Sequence, residues 1–342
     1  MSDNEHTLIQ GSQNSPATRL AAAPFDNLPD ADIILRSTDY VDFRVHKGVL
    51  SIASPIFGDM FRMGREEKKG EEIGGLPVVP MLTEDSKVLD IVLRLCYPVD
   101  KPTFDKVEDI QRILPAAEKY QMGAALKHLG EKLVSPQFLI PEPFRVFAVA
   151  RRYDMENEVR IAAKQTLRHS LPGPDIPEMK SISASSHLQL WEFRNCRVIP
   201  ATVVASNFSW VANREQVKRE WSFLGGCSCA KDVTTPVNFA DGAISPTKYW
   251  REYMRRAETA LGSNPSGTTV TSAAILWPTV GDMRISGCPT CSAPRALENL
   301  RIFSEVFATE IERVTIEVNL FSGMVIIHRR NLLQVTANFQ FD

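Results

Sequence analysis

Two short strands are predicted in the first part of the chain. Residues 32–35 are a brief apolar run, and Val41, Phe43 and Val45 alternate with polar residues. Alternation with period two is typical of a strand that is covered on one face only. Because Ser37, Thr38 and Asp39 are turn-forming residues, this region is expected to be a strand–turn–strand unit.

Helical periodicity begins directly after these strands. Apolar residues recur every three to four positions from Val49 to Phe61, which predicts one buried stripe. Because Pro55 lies within the stripe, two short helices or a kinked helix are expected. A charged loop at 63–75, a strand at 76–81 and three further helices, at 83–96, 110–120 and 126–133, follow. This order predicts an α+β domain over residues 25–135.

The rest of the chain divides by composition. Residues 1–24 contain few large apolar side chains and are predicted to be a disordered tail. Residues 136–171 are predicted to be a helical extension, and the proline- and serine-rich stretch 172–186 a linker. A mainly helical domain is expected over 187–342, with helices at 188–220, 247–261 and 296–318. All five tryptophans follow residue 186 and are expected to anchor its core.

Charge and hydropathy exclude several functional classes. The net charge of −2 argues against general binding to nucleic acids or membrane surfaces. No apolar run approaches the roughly 18–20 residues of a membrane span, and the first residues do not resemble a secretory signal. The expected location is therefore the cytoplasm or the nucleus.

Four of the six cysteines form two close pairs, Cys227 with Cys229 and Cys288 with Cys291. Four thiolates placed tetrahedrally at about 2.3 Å would hold a structural zinc ion, which is the one cofactor that the sequence suggests. The alternative is that all four are free thiols in a helical core.

No pattern of a catalytic site is found in the sequence. A glycine-rich phosphate loop, an HExxH motif and a GxSxG motif are all absent, so the chain is predicted not to be an enzyme and to have no small-molecule substrate. The six histidines are not paired as zinc-finger repeats require, which argues against that class of DNA-binding protein.

The stretch DADIILRSTDYVDFRVHKGVLSIASPIFGDMF (30–61) resembles the opening of a BTB/POZ domain. The family pattern there is an aspartate before the first strand, then Phe-x-Val-His-Lys, a leucine and Ser-x-x-Phe-x-x-Met-Phe. The segments LRLCYP (93–98) and PAAEKYQM (115–122) are similar to later helices of that family. Together with 138–168, the arrangement resembles the large group of fungal, basidiomycete-type BTB proteins.

This resemblance implies a homodimer, since BTB domains commonly pair through the first strand and helix. The residues expected at protein interfaces are Ile33, Leu50, Ile52, Ile56, Phe57, Met60, Phe61, Arg65, Glu66 and Glu67. The last three stand where cullin-binding members of the family carry a hydrophobic-x-Glu motif. Here an arginine replaces the apolar residue, which weakens the expectation of cullin binding because a charge would have to enter an apolar groove.

The function predicted from the sequence is therefore protein–protein interaction. The BTB region would form the homodimer, and the C-terminal region would present an unknown protein partner. Two versions are left open: a substrate adaptor of a cullin ubiquitin ligase, and a transcription- or chromatin-associated scaffold without a ligase role.

Overall fold

The chain forms two compact units that divide between Phe138 and Leu139. The computed structural model describes residues 17–63, 71–208, 210–211, 236–239 and 242–316. The first unit combines a small sheet with helices, and the second is mainly helical. The predicted fold class, an α+β domain followed by helical regions, is confirmed.

The first unit contains a five-stranded sheet in the order β1-β3-β2-β5-β4. Its strands are β1 (Arg19–Leu20), β2 (Ile33–Arg36), β3 (Val41–Val45), β4 (Glu72–Ile73) and β5 (Leu76–Pro80). The strands β2 and β3 pair antiparallel with Ile33 opposite Val45, as the alternating pattern predicted, and β2 pairs parallel with β5.

The prediction of a disordered tail over residues 1–24 is wrong for residues 17–24. The strand β1 pairs parallel with β3, and the amide of Ala21 donates to the carbonyl of Asp42 at 3.0 Å. Ala21 is buried as well. Backbone hydrogen bonds to an existing strand therefore order a segment whose own side chains bury little surface.

The helices of the first unit follow the predicted order. They are α1 (Lys47–Ala53), α2 (Pro55–Met63), α3 (Ser86–Cys96), α4 (Val107–Lys119), α5 (Gly123–Leu133) and α6 (Pro136–Leu139), the last of which crosses the unit boundary. Pro55 occupies the first position of α2, where its missing N–H costs no helical hydrogen bond, so two separate helices form. The cap of α3 is Asp85, whose side chain accepts from the amide of Val88 at 2.9 Å.

The second unit contains eight described helices and one hairpin. The helices are α7 (Pro143–Arg152), α8 (Glu156–Thr166), α9 (Pro177–Ser181), α10 (Ala184–Ser206), α11 (Lys248–Ser263), α12 (Gly267–Val270), α13 (Ala273–Ile285) and α14 (Pro294–Ile316). The strands β6 (Val237–Phe239) and β7 (Gly242–Ile244) pair antiparallel. The predicted linker 172–186 is therefore not irregular throughout, since it contains α9 and the start of α10.

Aromatic side chains from α11 and α14 form the centre of the second unit. Trp250 and Tyr253 are fully buried, and both pack edge-on against Phe303 at ring distances of 6.2 and 6.0 Å. The expectation that the tryptophans anchor a core is correct for Trp250. It is wrong for Trp191 and Trp277, which are more than half exposed.

A buried arginine links three helices of the second unit. The guanidinium of Arg194, on α10, donates to the carbonyls of Thr166, His169 (2.5 Å) and Ser263 (3.1 Å). These carbonyls lie at the C-terminal ends of α8 and α11, where the helix dipole favours a positive charge. Burial lowers the pKa of Arg194 to about 10, so the side chain is still a cation at neutral pH.

Candidate protein interface

The helix α2 divides its apolar residues between two faces. Phe57 and Phe61 are buried, and the ring of Phe57 stacks on that of Tyr120 with centroids 4.4 Å apart. Ile56, Met60 and Met63 are spaced by four and three residues, so they share a different face that is partly or fully open to solvent. One side of α2 therefore belongs to the core, and the other side is available for contact.

The end of α1 extends this apolar surface. Ile52 lies four residues before Ile56 in the chain, and its side chain is 91% exposed. Leu50, on the same helix, is completely buried. A row of exposed apolar residues on adjacent helices is typical of an interaction site. We call Ile52, Ile56, Met60 and Met63 the α1–α2 face.

The structure separates the predicted interface residues into three groups. Ile52, Ile56 and Met60 belong to the α1–α2 face. Four others are side chains of the core and were wrongly assigned to an interface, because the amphipathic pattern does not show which apolar side points inward: Ile33, Leu50, Phe57 and Phe61. The last three, Arg65, Glu66 and Glu67, lie outside the described residues. Met63 is absent from the predicted residues because the sequence pattern assigned it to the charged loop 63–75, whereas it is the last residue of α2.

The His46-Lys47 pair has a structural role in the first unit. The Nε2–H of His46 donates to the carbonyl of Pro29 at 2.8 Å, and Nδ1 lies 3.2 Å from the hydroxyl oxygen of Tyr97. The amide of Lys47 donates to Oδ1 of Asp32 at 2.8 Å, so Asp32 satisfies a free N–H at the start of α1. These contacts position α1 against the sheet.

A buried ion pair stabilises the β2–β3 hairpin. Nε and Nη2 of Arg36 donate to the two carboxylate oxygens of Asp42 at 2.6 and 2.9 Å, and Nη1 donates to Glu71 at 2.6 Å. The side chains of Arg36 and Asp42 are both buried. Hydrogen bonding to Asp42 raises the pKa of Arg36 above its ordinary value.

A second buried carboxylate, Glu84, joins the start of α3 to the end of α4. It accepts hydrogen bonds from Thr83 (2.7 Å), Lys119 (3.0 Å) and the Tyr120 hydroxyl (2.8 Å). Burial alone would raise the pKa of Glu84, but these three hydrogen bonds outweigh it and lower the pKa below its ordinary value. Burial and the neighbouring Glu84 raise the pKa of Tyr120.

We therefore expect low pH to destabilise the first unit, in part because Glu84 becomes protonated. Its folded pKa lies below the unfolded value, so its stabilisation is complete above about pH 5 and is lost as the pH falls through the folded pKa. We expect Glu84→Gln to cost about 2 kcal/mol at pH 7 and to reduce the difference in stability between pH 7 and pH 4.

The reactivity of the Cys96 thiol can be used to measure the stability of the first unit in the wild type and in the Glu84→Gln variant. Cys96 is the single cysteine among residues 1–138 and is half-buried within α3. Labelling by a dithiodipyridine in increasing urea, at both pH values, is measured by mass spectrometry of the peptide that contains Cys96, so that the five cysteines of the second unit do not contribute and unfolding of the first unit is followed alone. Equal pH dependence in the wild type and the Glu84→Gln variant would contradict the assignment.

The predicted zinc cysteines are described only in part. Cys291 is buried and Cys288 is half-buried, in the turn that precedes α14. Cys227 and Cys229 lie outside the described residues. The described residues contain no cluster of three or more metal-binding side chains, but they include only two of these four cysteines. The structural zinc site therefore stays a prediction from the sequence.

The comparisons with known proteins address the first unit. The family model of the BTB/POZ domain matches residues 25–137. Residues 25–137 form a BTB/POZ domain. This domain also has a match to a solved structure, the BTB domain of zebrafish PATZ1, at 22% sequence identity, a TM-score of 0.24 and coverage of 30% of this chain and 75% of that one.

The BTB/POZ domain accounts for one of the two units. The family model describes such domains in general, so the resemblance to the fungal group stays a prediction. In the described ranges, no helix has both the length and the apolar character needed to cross a membrane. BTB/POZ domains are protein-interaction domains, which supports a role in protein binding.

Proposed function

We propose that this chain is a protein-interaction protein that forms a homodimer through the α1–α2 face of its BTB/POZ domain. The exposed side chain of Ile52, on the helix next to the one that carries Ile56, Met60 and Met63, is the observation that carries the proposal. Most soluble homo-oligomers are two-fold dimers in which the same patch of both subunits is buried. An apolar row with few charges suits such self-contact.

Among the residues of this face, Ile52 is the one whose replacement should weaken the dimer most. Burial of an isoleucine side chain contributes about 2–3 kcal/mol, and a two-fold interface contains each residue twice. A carboxylate at the same place would have to lose its hydration in an apolar contact, which is unfavourable. Because Ile52 is almost fully exposed in the single chain, its replacement should not affect folding.

We therefore expect Ile52→Glu to convert the dimer into a monomer. The predicted rise in the dissociation constant is at least about 100-fold, since 2.7 kcal/mol or more of interface energy is lost. Sedimentation equilibrium of the full chain measures this change, at protein concentrations from 0.5 to 50 times the wild-type dissociation constant.

The control variant is Leu82→Glu, which lies on the loop between β5 and α3. Leu82 is 83% exposed and belongs to the same unit, but it is not part of the α1–α2 face. This variant should dimerise as the wild type does. A wild-type chain that stays monomeric at 50 µM, or equal weakening by both substitutions, would overturn the proposal.

The two more specific functions, cullin adaptor and transcription- or chromatin-associated scaffold, are supported by the sequence alone. Cullin adaptor activity depends on the loop that contains Arg65, Glu66 and Glu67, which is outside the described residues. The scaffold associated with transcription or chromatin is the alternative. In either case we propose that the C-terminal region presents the protein partner, that the chain catalyses no reaction, and that it acts in the cytoplasm or nucleus.

A further inference from the structure

The helix α10 is apolar on two opposite sides. One side, with Leu190, Ala201 and Val204, is buried in the second unit. Leu188, Trp191 and Ile199 are 54, 53 and 55% exposed on the other side. Large apolar side chains on both sides of a helix are normally covered on both sides. Leu188, Trp191 and Ile199 are more than half uncovered by the residues that the structure describes.

The exposed residues form one continuous line along the helix. Positions 184, 188, 191, 195, 199, 202 and 206 are separated by three or four residues, so they share a face. This face contains alanine, leucine, tryptophan, asparagine, isoleucine, threonine and serine, and the charged residue Glu192, four residues after Leu188, lies beside it. Single exposed apolar residues are common, but three large ones on one side of a helix mark a contact surface. We call it the Leu188–Ile199 face.

The described part of α14 ends near this helix. Arg313, one turn before the last described residue, Ile316, lines a surface depression together with Val203 of α10 and Asn207, which caps the C-terminus of that helix. In the same region the indole N–H of Trp210 donates to the carbonyl of Val204 at 3.0 Å. The last described turn of α14 therefore lies beside the C-terminal end of α10.

The segment that follows Ile316 has a composition that matches the exposed face. Residues 317–342 include the run Met324–Ile327, the pair Leu332 and Leu333, and Phe339 and Phe341. The distance along α10 from Val203 to Leu188 is about 22 Å, and a segment of this length reaches roughly 80 Å when extended. The segment is thus long enough to follow the whole face.

We propose that residues 317–342 pack along the Leu188–Ile199 face of α10 within the same chain. The tether at Ile316 gives this segment an effective concentration in the millimolar range, whereas a second copy must first lose its translational and rotational freedom. Packing of the segment buries Leu188, Trp191 and Ile199 and completes the hydrophobic core of the second unit.

Photo-cross-linking identifies what covers this face. The full chain carries the substitution Leu188→p-benzoylphenylalanine and is prepared as an equal mixture of ¹⁵N-labelled and unlabelled protein. After irradiation, mass spectrometry identifies the cross-linked peptides. We expect adducts with peptides from 317–342 in which both halves carry the same isotope. Their yield should be at least ten times that from Ile285→p-benzoylphenylalanine, a control at an exposed position of α13.

Three outcomes would overturn the proposal. Mixed-isotope adducts would show that a second copy covers the face. Adducts with any other part of the same chain would identify a different occupant. Equal yields from the two positions, or no adduct at Leu188, would show that the segment does not bind there. Tryptophan fluorescence of both variants confirms that the second unit is folded.

Discussion

Replacing Gly267 with alanine should destabilise the second unit by about 3 kcal/mol or more. A Cβ atom at this position would lie 2.5 Å from the carbonyl oxygen of Ala308 and 3.1 Å from Cγ of Glu312. The first of these atoms belongs to the backbone of α14, which cannot rotate away. Either α12 or α14 must move, and such overpacking typically costs 1–3 kcal/mol, with larger costs where backbone is displaced.

The same movement would also break hydrogen bonds at the start of α12. The amide of Gly267 donates to Oε1 of Glu312 at 3.0 Å, and the hydroxyl of Ser266 lies 3.2 Å from the same oxygen. Glu312 thus satisfies a free N–H and places a negative charge at the helix N-terminus. Loss of this contact adds to the steric cost.

A matched glycine provides the control. Gly281 lies within α13, and a Cβ atom there would meet no atom within 4 Å. Gly281→Ala should therefore stabilise the second unit by up to about 1 kcal/mol, because alanine is the better helix former. All five tryptophans lie in this unit, so urea unfolding followed by tryptophan fluorescence reports on it alone. A decrease of less than 1 kcal/mol for Gly267→Ala would contradict the predicted clash.

The second large effect is expected for Asp42→Asn in the BTB/POZ domain. The change keeps the shape of the side chain but removes the charge that balances the buried guanidinium of Arg36. Glu71 still contacts Arg36, but the side chain of Glu71 is more than half exposed and contributes less. Breaking a buried ion pair typically costs 3–5 kcal/mol, and we expect about 3 kcal/mol here.

An exposed ion pair of the same unit is the control. Arg112 lies 2.9 Å from Asp85 with both side chains well exposed, so Arg112→Gln should cost less than about 1 kcal/mol. Labelling of Cys96 in urea measures both variants. Similar losses for Asp42→Asn and Arg112→Gln would show that the Arg36–Asp42 pair contributes no more than a surface pair.

The sequence was sufficient to predict the features of the fold that depend on the pattern of nearby residues. The alternation of Val41, Phe43 and Val45 identified β3, and Pro55 identified the break between α1 and α2, because period and proline chemistry act within a few residues. The motif around His46 and Lys47 was enough to suggest the BTB/POZ resemblance. The same local signals predicted helices near residues 247–261 and 296–318, where α11 and α14 lie.

Only the tertiary structure decided which apolar side chains are exposed and which distant residues meet. Ile56 and Phe57 are neighbours of similar hydrophobicity, and Phe57 is buried because Tyr120 stacks on it from another helix. The strand β1 forms because β3 offers it hydrogen bonds, although its own sequence shows no strand pattern. The approach of Gly267 to Ala308 joins positions far apart in the chain. Such contacts depend on packing between elements, and the periodicity of one element carries no information about its neighbours.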